Sequence, residues 1–314
     1  MAEEIYAFSR LEETFSRTKS LLWPPNRGIW LRLAVIALFV GGGASFPNFS
    51  QYNFGGGDLP PGMDGSFSGI MPLIAAFVIV VLGLALLWML VGAAMQFVFV
   101  DMLSTGEIRI RRFFGERFGK GVRLFLFQFV FMLALIIGVA ALAFALFGLA
   151  GAGSRFGVSA LVLLLIPALL IVALLVGVVF LLTIDFVVPI MIREDCGVIE
   201  GWRRLIGVMS GNLWQTAAYV VVKFVLGLIA ALVQAVLVIL AMLVVAIPFV
   251  LVGIVLLAVL QAANYALLLL LLIPYLIIVI PVGLLIAVPF VTFFRYYGLL
   301  VLAGLAPEYR LLPE

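Results

Sequence analysis

Charged side chains that stand among apolar residues are the first candidates for chemistry in this sequence. Asp185 directly precedes Phe186, and Lys223 directly follows a run of valines. Charges inside a membrane segment mark proton or ion pathways by default, although long basic side chains near helix ends also reach the interface. We interpret Asp185 and Lys223 as an intramembrane polar or ion pair, and favour a structural pair over a proton or ion site.

Catalysis has few possible participants in this chain. The 314 residues contain no histidine and one cysteine, Cys196, so the usual histidine-dependent zinc and nucleophile sites cannot be formed. One acidic cluster comprises Asp185, Glu194, Asp195 and Glu200, and adjacent residues do not share a helix face. We therefore expect no catalytic residue, no metal site and no cofactor. An interfacial lipid enzyme using this cluster is the least favoured function.

Composition identifies the class of protein. Hydrophobic residues make up 66% of the chain and charged residues 11%, and the mean hydropathy is +1.36. A soluble domain has about 45–50% apolar and about 25% charged residues, so a water-soluble domain and a disordered chain are both excluded. The net charge of +3 is too small and dispersed for nucleic-acid binding. The predicted fold class is all-α, a polytopic integral membrane bundle that forms one domain over residues 1–314.

Hydropathy and charge together predict six spans. About 20 apolar residues cross the hydrocarbon core, and the segments that qualify are 29–46, 70–100, 124–150, 158–184, 224–247 and 265–294. Residues 248–264 are then re-entrant or an outer helical extension, and a seventh span over 249–272 is the alternative. Basic residues favour the cytoplasmic side, and six spans place all 18 of them except Arg155 there. This predicts a multi-pass protein of the cell membrane with both termini cytoplasmic.

The three cytoplasmic segments resemble one another. Each is interpreted as an amphipathic interfacial helix, a break near Gly28, Gly119 or Gly211, and then a span. The even-numbered spans end in related motifs, which are FVFVD at 97–101, LLTID at 181–185 and VTFFR at 291–295. We predict a threefold repeat of interfacial helix plus transmembrane hairpin, with units 1–100, 101–192 and 193–294 and a short cytoplasmic tail, 295–314.

Basic side chains on the interfacial segments are candidates for binding lipid headgroups. An amphipathic basic helix lies in the headgroup plane, and each Lys or Arg near the surface attracts anionic lipid by about 1 kcal/mol. In the first segment the predicted apolar face is Ile5, Phe8, Leu11, Phe15 and Leu22. The predicted headgroup contacts are Arg32, Arg109, Arg111, Arg112, Arg123, Arg203 and Arg204.

Two stretches of the chain carry a resemblance to a known family. Residues 23–33 (WPPNRGIWLRL), followed by three glycines at 41–43, and residues 185–204 (with DFVVPIM, EDCGV and WRR) resemble an uncharacterised multipass family common in archaea. They are more distantly similar to the membrane domain fused to some bacterial glycerophosphodiester phosphodiesterases. The resemblance implies a helical membrane domain with no established activity and no functional residues. Phosphodiesterase chemistry belongs to a separate soluble barrel in the fused proteins, so we do not expect it here.

Three functions remain as hypotheses. The leading one is a noncatalytic integral membrane protein that organises anionic lipid, or a partner membrane protein, through basic interfacial helices. A homo-oligomer is an open alternative for the partner, and nucleic acid is not expected. The second is a channel or transporter for an ion or small amphiphile, with Asp185, Lys223 and the intramembrane residues Gln96, Gln128 and Gln234 along its path. The interfacial lipid enzyme is the third.

Overall fold

The computed structural model describes residues 5–41, 67–107, 109–149, 155–260 and 265–313, and the regular structure in these ranges is helical. A π-helical turn, Thr183–Val187, joins α6 to α7, and a short 3-10 turn, Pro307–Tyr309, follows α10. The helices are α1 (Tyr6–Ser9), α2 (Leu11–Leu22), α3 (Arg27–Val40), α4 (Phe67–Thr105), α5 (Ile110–Leu149), α6 (Arg155–Leu182), α7 (Val188–Glu194), α8 (Val198–Gly211), α9 (Leu213–Leu260) and α10 (Tyr265–Leu305).

Five helical stretches in the described ranges are long and apolar enough to cross a membrane. They belong to α4, α5, α6 with its continuation into α7, α9 and α10. The first predicted span begins in α3, whose 14 residues rise only about 21 Å against a hydrocarbon core of about 30 Å. Residues 42–66, where that span would finish and the outer loop would lie, are outside the described residues. Within the described residues, the fold is a helical membrane bundle with five such helices.

The helices pack closely at one end of the molecule and separate toward the other. Residues 93–103 of α4, 185–191 around the π turn and 295–302 of α10 are all buried. Residues 72–85 of α4 are all exposed, and α5, α6 and α9 also expose large apolar side chains along their outer halves. A helix that is apolar all round suits a membrane. We call the two ends the packed end and the open end.

Both terminal segments lie at the packed end. Tyr297 on α10 donates its hydroxyl hydrogen bond to Ala7 O at 2.8 Å, and Arg17 Nη1 donates to Pro313 O at 2.9 Å. Helix α10 continues past Phe294 to Leu305, and residues 295–302 are buried. Residues 295–305 of the predicted tail therefore form the last turns of α10.

Helix α2 packs against α10 with threonines on its buried face. Thr14 and Thr18 are both buried. The hydroxyl of each donates to the carbonyl oxygen four residues back, at 2.6 and 2.8 Å respectively. Such internal bonding removes the cost of burying an unpaired hydroxyl. The predicted apolar face is only partly buried, since Leu22 is buried while Phe8 and Phe15 are exposed.

The break expected at Gly119 is absent. Helix α5 runs without interruption from Ile110 to Leu149, and a Cβ at Gly119 would meet open space. Gly121 has the packing role instead, because a Cβ there would lie 2.6 Å from Ala94 Cα on α4. Close approach of α4 and α5 therefore requires glycine at 121.

Helix α9 passes through Pro248 and continues to Leu260. The described part of the region 248–264 is thus a helical extension of the fifth predicted span. Residues 261–264 are outside the described residues. A proline inside a helix removes one backbone hydrogen bond, and a helix within a membrane tolerates this where its neighbours satisfy the freed group.

Candidate functional site

The junction of α6 and α7 is widened by the π turn, which carries Asp185 at its centre. Val188 N–H donates to Thr183 O, five residues back, and so does not reach Ile184 O as an α-helix would require. Pro189, the next residue, has no N–H to donate. The Ile184 carbonyl is therefore left without a helical partner. Single π turns inside α-helices occur often at functional sites.

Arg295 of α10 donates a hydrogen bond to this carbonyl. Its Nη1 donates to Ile184 O at 2.8 Å, and its Nη2 donates to Gln96 Oε1 on α4. The guanidinium carbon lies 5.5 Å from the ring centroid of Phe99, a cation–π geometry. Arg295 is only 4% exposed, so these contacts replace the water that a buried guanidinium loses.

Asp185 accepts hydrogen bonds from two donors on α9. Its Oδ2 accepts from Tyr219 Oη at 2.7 Å and from Lys223 Nζ. The side chains of Asp185 and Lys223 are 4% and 16% exposed. The structure thus places the two residues of the predicted pair in contact, with Tyr219 as a further partner. We call Asp185, Lys223, Tyr219, Arg295 and Gln96 the ion cluster.

The ion cluster holds one carboxylate and two cations and joins α4, the π turn, α9 and α10. Gly298 makes room for it, since a Cβ there would lie 3.2 Å from both Asp185 Cβ and the Tyr219 hydroxyl. Removing water from charges is costly unless each charge is paired and hydrogen-bonded. The arrangement can fix the relative positions of these helices, and it also provides a buried ionisable pair on which a proton or ion could act.

A second buried carboxylate lies on the α4–α5 hairpin. Asp101 accepts from Arg117 through Nε at 2.6 Å and Nη2 at 3.3 Å, a two-point contact. The Asp101 side chain is 7% exposed and that of Arg117 is 26% exposed. Bidentate arginine–carboxylate pairs are among the stronger charged contacts, so this pair ties the base of one hairpin together.

An open cavity of about 610 Å³ brings four of the predicted headgroup contacts together. Its lining residues are Arg32 of α3 together with Arg109, Ile110, Arg111 and Arg112 at the start of α5. We call it the arginine cavity.

Two of the cavity arginines are paired with carboxylates. Arg109 lies 3.5 Å from Glu107, and Arg112 lies 3.0 Å from Glu116. Arg111 forms no ion pair within the described residues. Exposed pairs contribute only about 0–1 kcal/mol, so an incoming anion can compete for these guanidinium groups.

The remaining predicted headgroup contacts lie apart from this cavity. Arg203 and Arg204 on α8 are both paired, since Arg203 lies 2.7 Å from Glu200 and Arg204 lies 3.3 Å from Glu194. A hydrogen bond with Tyr309, followed by the charge of Glu194, raises the pKa of Arg204. Arg123 lines a different groove, between α5 and α8.

The acidic cluster of the sequence is distributed among separate cations. Asp185 belongs to the ion cluster, Glu194 and Glu200 meet arginines of α8, and Asp195 lies 2.7 Å from Lys120 Nζ on α5. The hydrogen bond and charge of Lys120 hold the pKa of Asp195 below its ordinary value. Burial raises the pKa of the Cys196 thiol, which disfavours a reactive thiolate.

Comparison with protein families gives one match, to a family of unknown function (DUF7544), over residues 5–312. The chain belongs to this family. No curated protein and no solved structure matches it. The resemblance to a family without an assigned activity is thereby confirmed, while the more distant similarity to the phosphodiesterase membrane domain is not shown by these comparisons.

The sequence predicts only part of the ion cluster, which is the pair of Asp185 and Lys223. In the sequence Arg295 ends the third motif. Its contact with Gln96 joins residues 199 positions apart, and its contact with Ile184 joins residues 111 positions apart. Such distant pairing leaves no local pattern. One local signal existed, which is Pro189, since a proline inside a helix frees a carbonyl in the preceding turn. Of the other glutamines, Gln128 is buried and Gln234 half-buried.

Proposed function

We propose that this chain is a noncatalytic membrane protein that binds and organises anionic lipid at its packed end. The observation that carries the proposal is the arginine cavity, which collects Arg32, Arg109, Arg111 and Arg112 from two segments. In the same proposal the chain crosses the cell membrane six times, and both termini are cytoplasmic. The bundle is a threefold repeat related to the phosphodiesterase membrane domain. The meeting of the terminal segments at the packed end supports an even number of crossings.

The position of the cavity relative to the membrane favours lipid as its ligand. The cavity lies at the foot of α5, a helix that continues into an apolar stretch long enough to cross a membrane. Anionic headgroups lie at the membrane surface, and each basic residue near that surface adds about 1 kcal/mol to their attraction. The exposed Glu107 and Glu116 compensate two of the guanidinium groups only weakly.

The chain offers a matched pair of variants to test this proposal. Arg111→Gln/Arg112→Gln and Arg203→Gln/Arg204→Gln each remove two adjacent arginines, but only the first pair lines the cavity. Native mass spectrometry with added phosphatidylglycerol measures the affinity. We expect the first variant to bind roughly tenfold or more weakly. The second should change little, because Arg203 and Arg204 lie outside the cavity.

The affinity for phosphatidylcholine, which has no net charge, is the control that separates recognition of the anionic headgroup from binding of any lipid. A loss confined to phosphatidylglycerol supports recognition of the anionic headgroup. Equal phosphatidylglycerol binding by the wild-type protein and both variants would overturn the proposal.

The ion cluster favours a second candidate function, transport of a proton or small ion. A buried lysine contacts a buried carboxylate beside a buried arginine, and charged groups inside a bundle mark such pathways. Flux into proteoliposomes that Asp185→Asn and Lys223→Met both abolish would support this candidate. Flux no greater than in empty liposomes would oppose it.

A further inference from the structure

A groove of about 770 Å³ runs between α5 and the start of α8. This volume is within the range of about 300–1,000 Å³ found for small-molecule sites. One wall is a stripe of α5 below Arg123, and the other is the first turn of α8. The lining residues are Arg123, Leu126, Phe127, Val130, Phe131, Ala134, Gly197, Val198, Ile199 and Glu200.

The stripe on α5 has the length of one membrane leaflet. From Arg123 to Ala134 the helix rises about 16 Å, and half of the hydrocarbon core is about 15 Å. Phe127, Val130 and Phe131 lie between them at helical spacing, so they form one continuous apolar face. A single acyl chain lying along α5 would contact the whole face.

The mouth of the groove carries positive charge. Arg123 is exposed and forms no ion pair within the described residues, although it lies near enough to Asp195 to lower the pKa of that carboxyl slightly. Glu200 also lines the mouth, but Arg203 lies 2.7 Å and Arg204 3.6 Å from it. An anionic group would therefore meet an Arg123 guanidinium that no carboxylate of the described residues contacts directly.

Contacts beside the mouth of the groove hold its two walls together. Lys120 Nζ on α5 donates to Met191 O at 2.7 Å and lies 2.7 Å from Asp195 Oδ1. Asp195 has a left-handed backbone, φ 51°, at the turn from α7 into α8. Lys120 thus fixes this turn against α5, and the width of the groove is set by the fold.

We propose that this groove binds one acyl chain of a membrane phospholipid whose anionic headgroup lies at Arg123. The inference rests on the proposed function for its ligand class and adds a second, separate site. None of its lining residues lines the arginine cavity. A lipid bound here would contact Arg123 through its headgroup and the apolar stripe of α5 through one acyl chain.

Filling the groove tests the acyl-chain half of the proposal. Ala134→Trp would occupy it, and Ala140→Trp is the matched control, since Ala140 is also exposed on α5 but does not line the groove. Both substitutions meet the membrane and leave the protein core unchanged. We expect native mass spectra with phosphatidylglycerol to show one bound lipid fewer for Ala134→Trp than for the wild-type protein and Ala140→Trp. Equal numbers and affinities in all three proteins would overturn the proposal.

The headgroup half is tested by Arg123→Gln. This variant should keep the lipid but lose its preference for phosphatidylglycerol over phosphatidylcholine by about fivefold. An unchanged preference would contradict the role of Arg123.

The two lipid sites fail in distinguishable ways. Loss of one lipid in Ala134→Trp with normal binding by Arg111→Gln/Arg112→Gln supports the groove and opposes the arginine cavity. The reverse pattern opposes the groove alone.

Discussion

The α4–α5 hairpin and the α6–α7 junction each bury an aspartate against a cation, yet the two pairs connect different amounts of structure. Asp101 meets Arg117, 16 residues further along the chain on the neighbouring helix. Asp185 meets Tyr219 and Lys223 on α9, beside Arg295 of α10, which itself reaches Gln96 on α4. The first pair stabilises one hairpin, whereas the ion cluster joins α4, the π turn, α9 and α10.

Position 295 explains much of this difference. Asp101 and Asp185 end the first two sequence motifs, whereas Arg295 ends the third. The third motif therefore contributes a cation where the others contribute a carboxylate, and that cation contacts the second motif at Ile184 O and Gln96 beside the first. A carboxylate at 295 could not donate to these two acceptors, so the contacts depend on the arginine.

The largest expected effect comes from removing the carboxylate of the ion cluster. Asp185→Asn leaves Lys223 and Arg295 buried without a counter-charge, and breaking a buried pair in this way costs about 3–5 kcal/mol. Denaturation by SDS in mixed micelles measures the free energy of unfolding. Asp101→Asn is the matched control, because Arg117 is 26% exposed and can turn toward water. Equal losses in the two variants would show that the clusters do not differ as described.

A smaller effect is expected at the hairpin pair. Arg117→Gln removes the two-point contact with Asp101, which we count as one charged contact of about 1.5–3 kcal/mol because Arg117 is 26% exposed and partly hydrated. The loss should be local to α4 and α5, so hydrogen exchange should accelerate at the packed ends of those helices and stay unchanged around Tyr219 on α9. Uniform acceleration over the whole packed end would contradict a local role.

The sequence predicted the helices better than their contacts. Apolar length located the long helices of the bundle, because crossing the membrane imposes it. It failed at Gly119, since glycine weakens a helix by only about 1 kcal/mol and packing of the continuous α5 against α4 outweighs this. Burial of Thr14 and Thr18 was missed because their hydroxyls are satisfied within α2. The Asp185–Lys223 contact was foreseen from similar depth, whereas the part of Arg295 depends on α10 meeting α4 and the π turn.

The smallest effect is expected at an exposed third pair, Asp195 with Lys120, in which the Asp195 side chain is 87% exposed. Lys120 lowers the pKa of Asp195 from 3.8. Its stabilisation is therefore present above 3.8 and is lost as the pH falls through the lowered value in the folded protein. Lys120→Met should flatten this acid-side change when the unfolding midpoint is followed from neutral pH to about pH 2.5. Identical pH profiles for the two proteins would refute the assignment.

The length of α9 makes bilayer thickness a determinant of this protein's conformational energy. From Lys223 to Leu256 the helix is continuous and apolar and extends about 50 Å. Tilting by about 40°, the upper end of the usual range, still leaves about 38 Å along the bilayer normal, against a core of about 30 Å. Hydrophobic mismatch costs a fraction of a kcal/mol per ångström and sorts proteins among membranes. A helix of this length therefore favours thicker membranes.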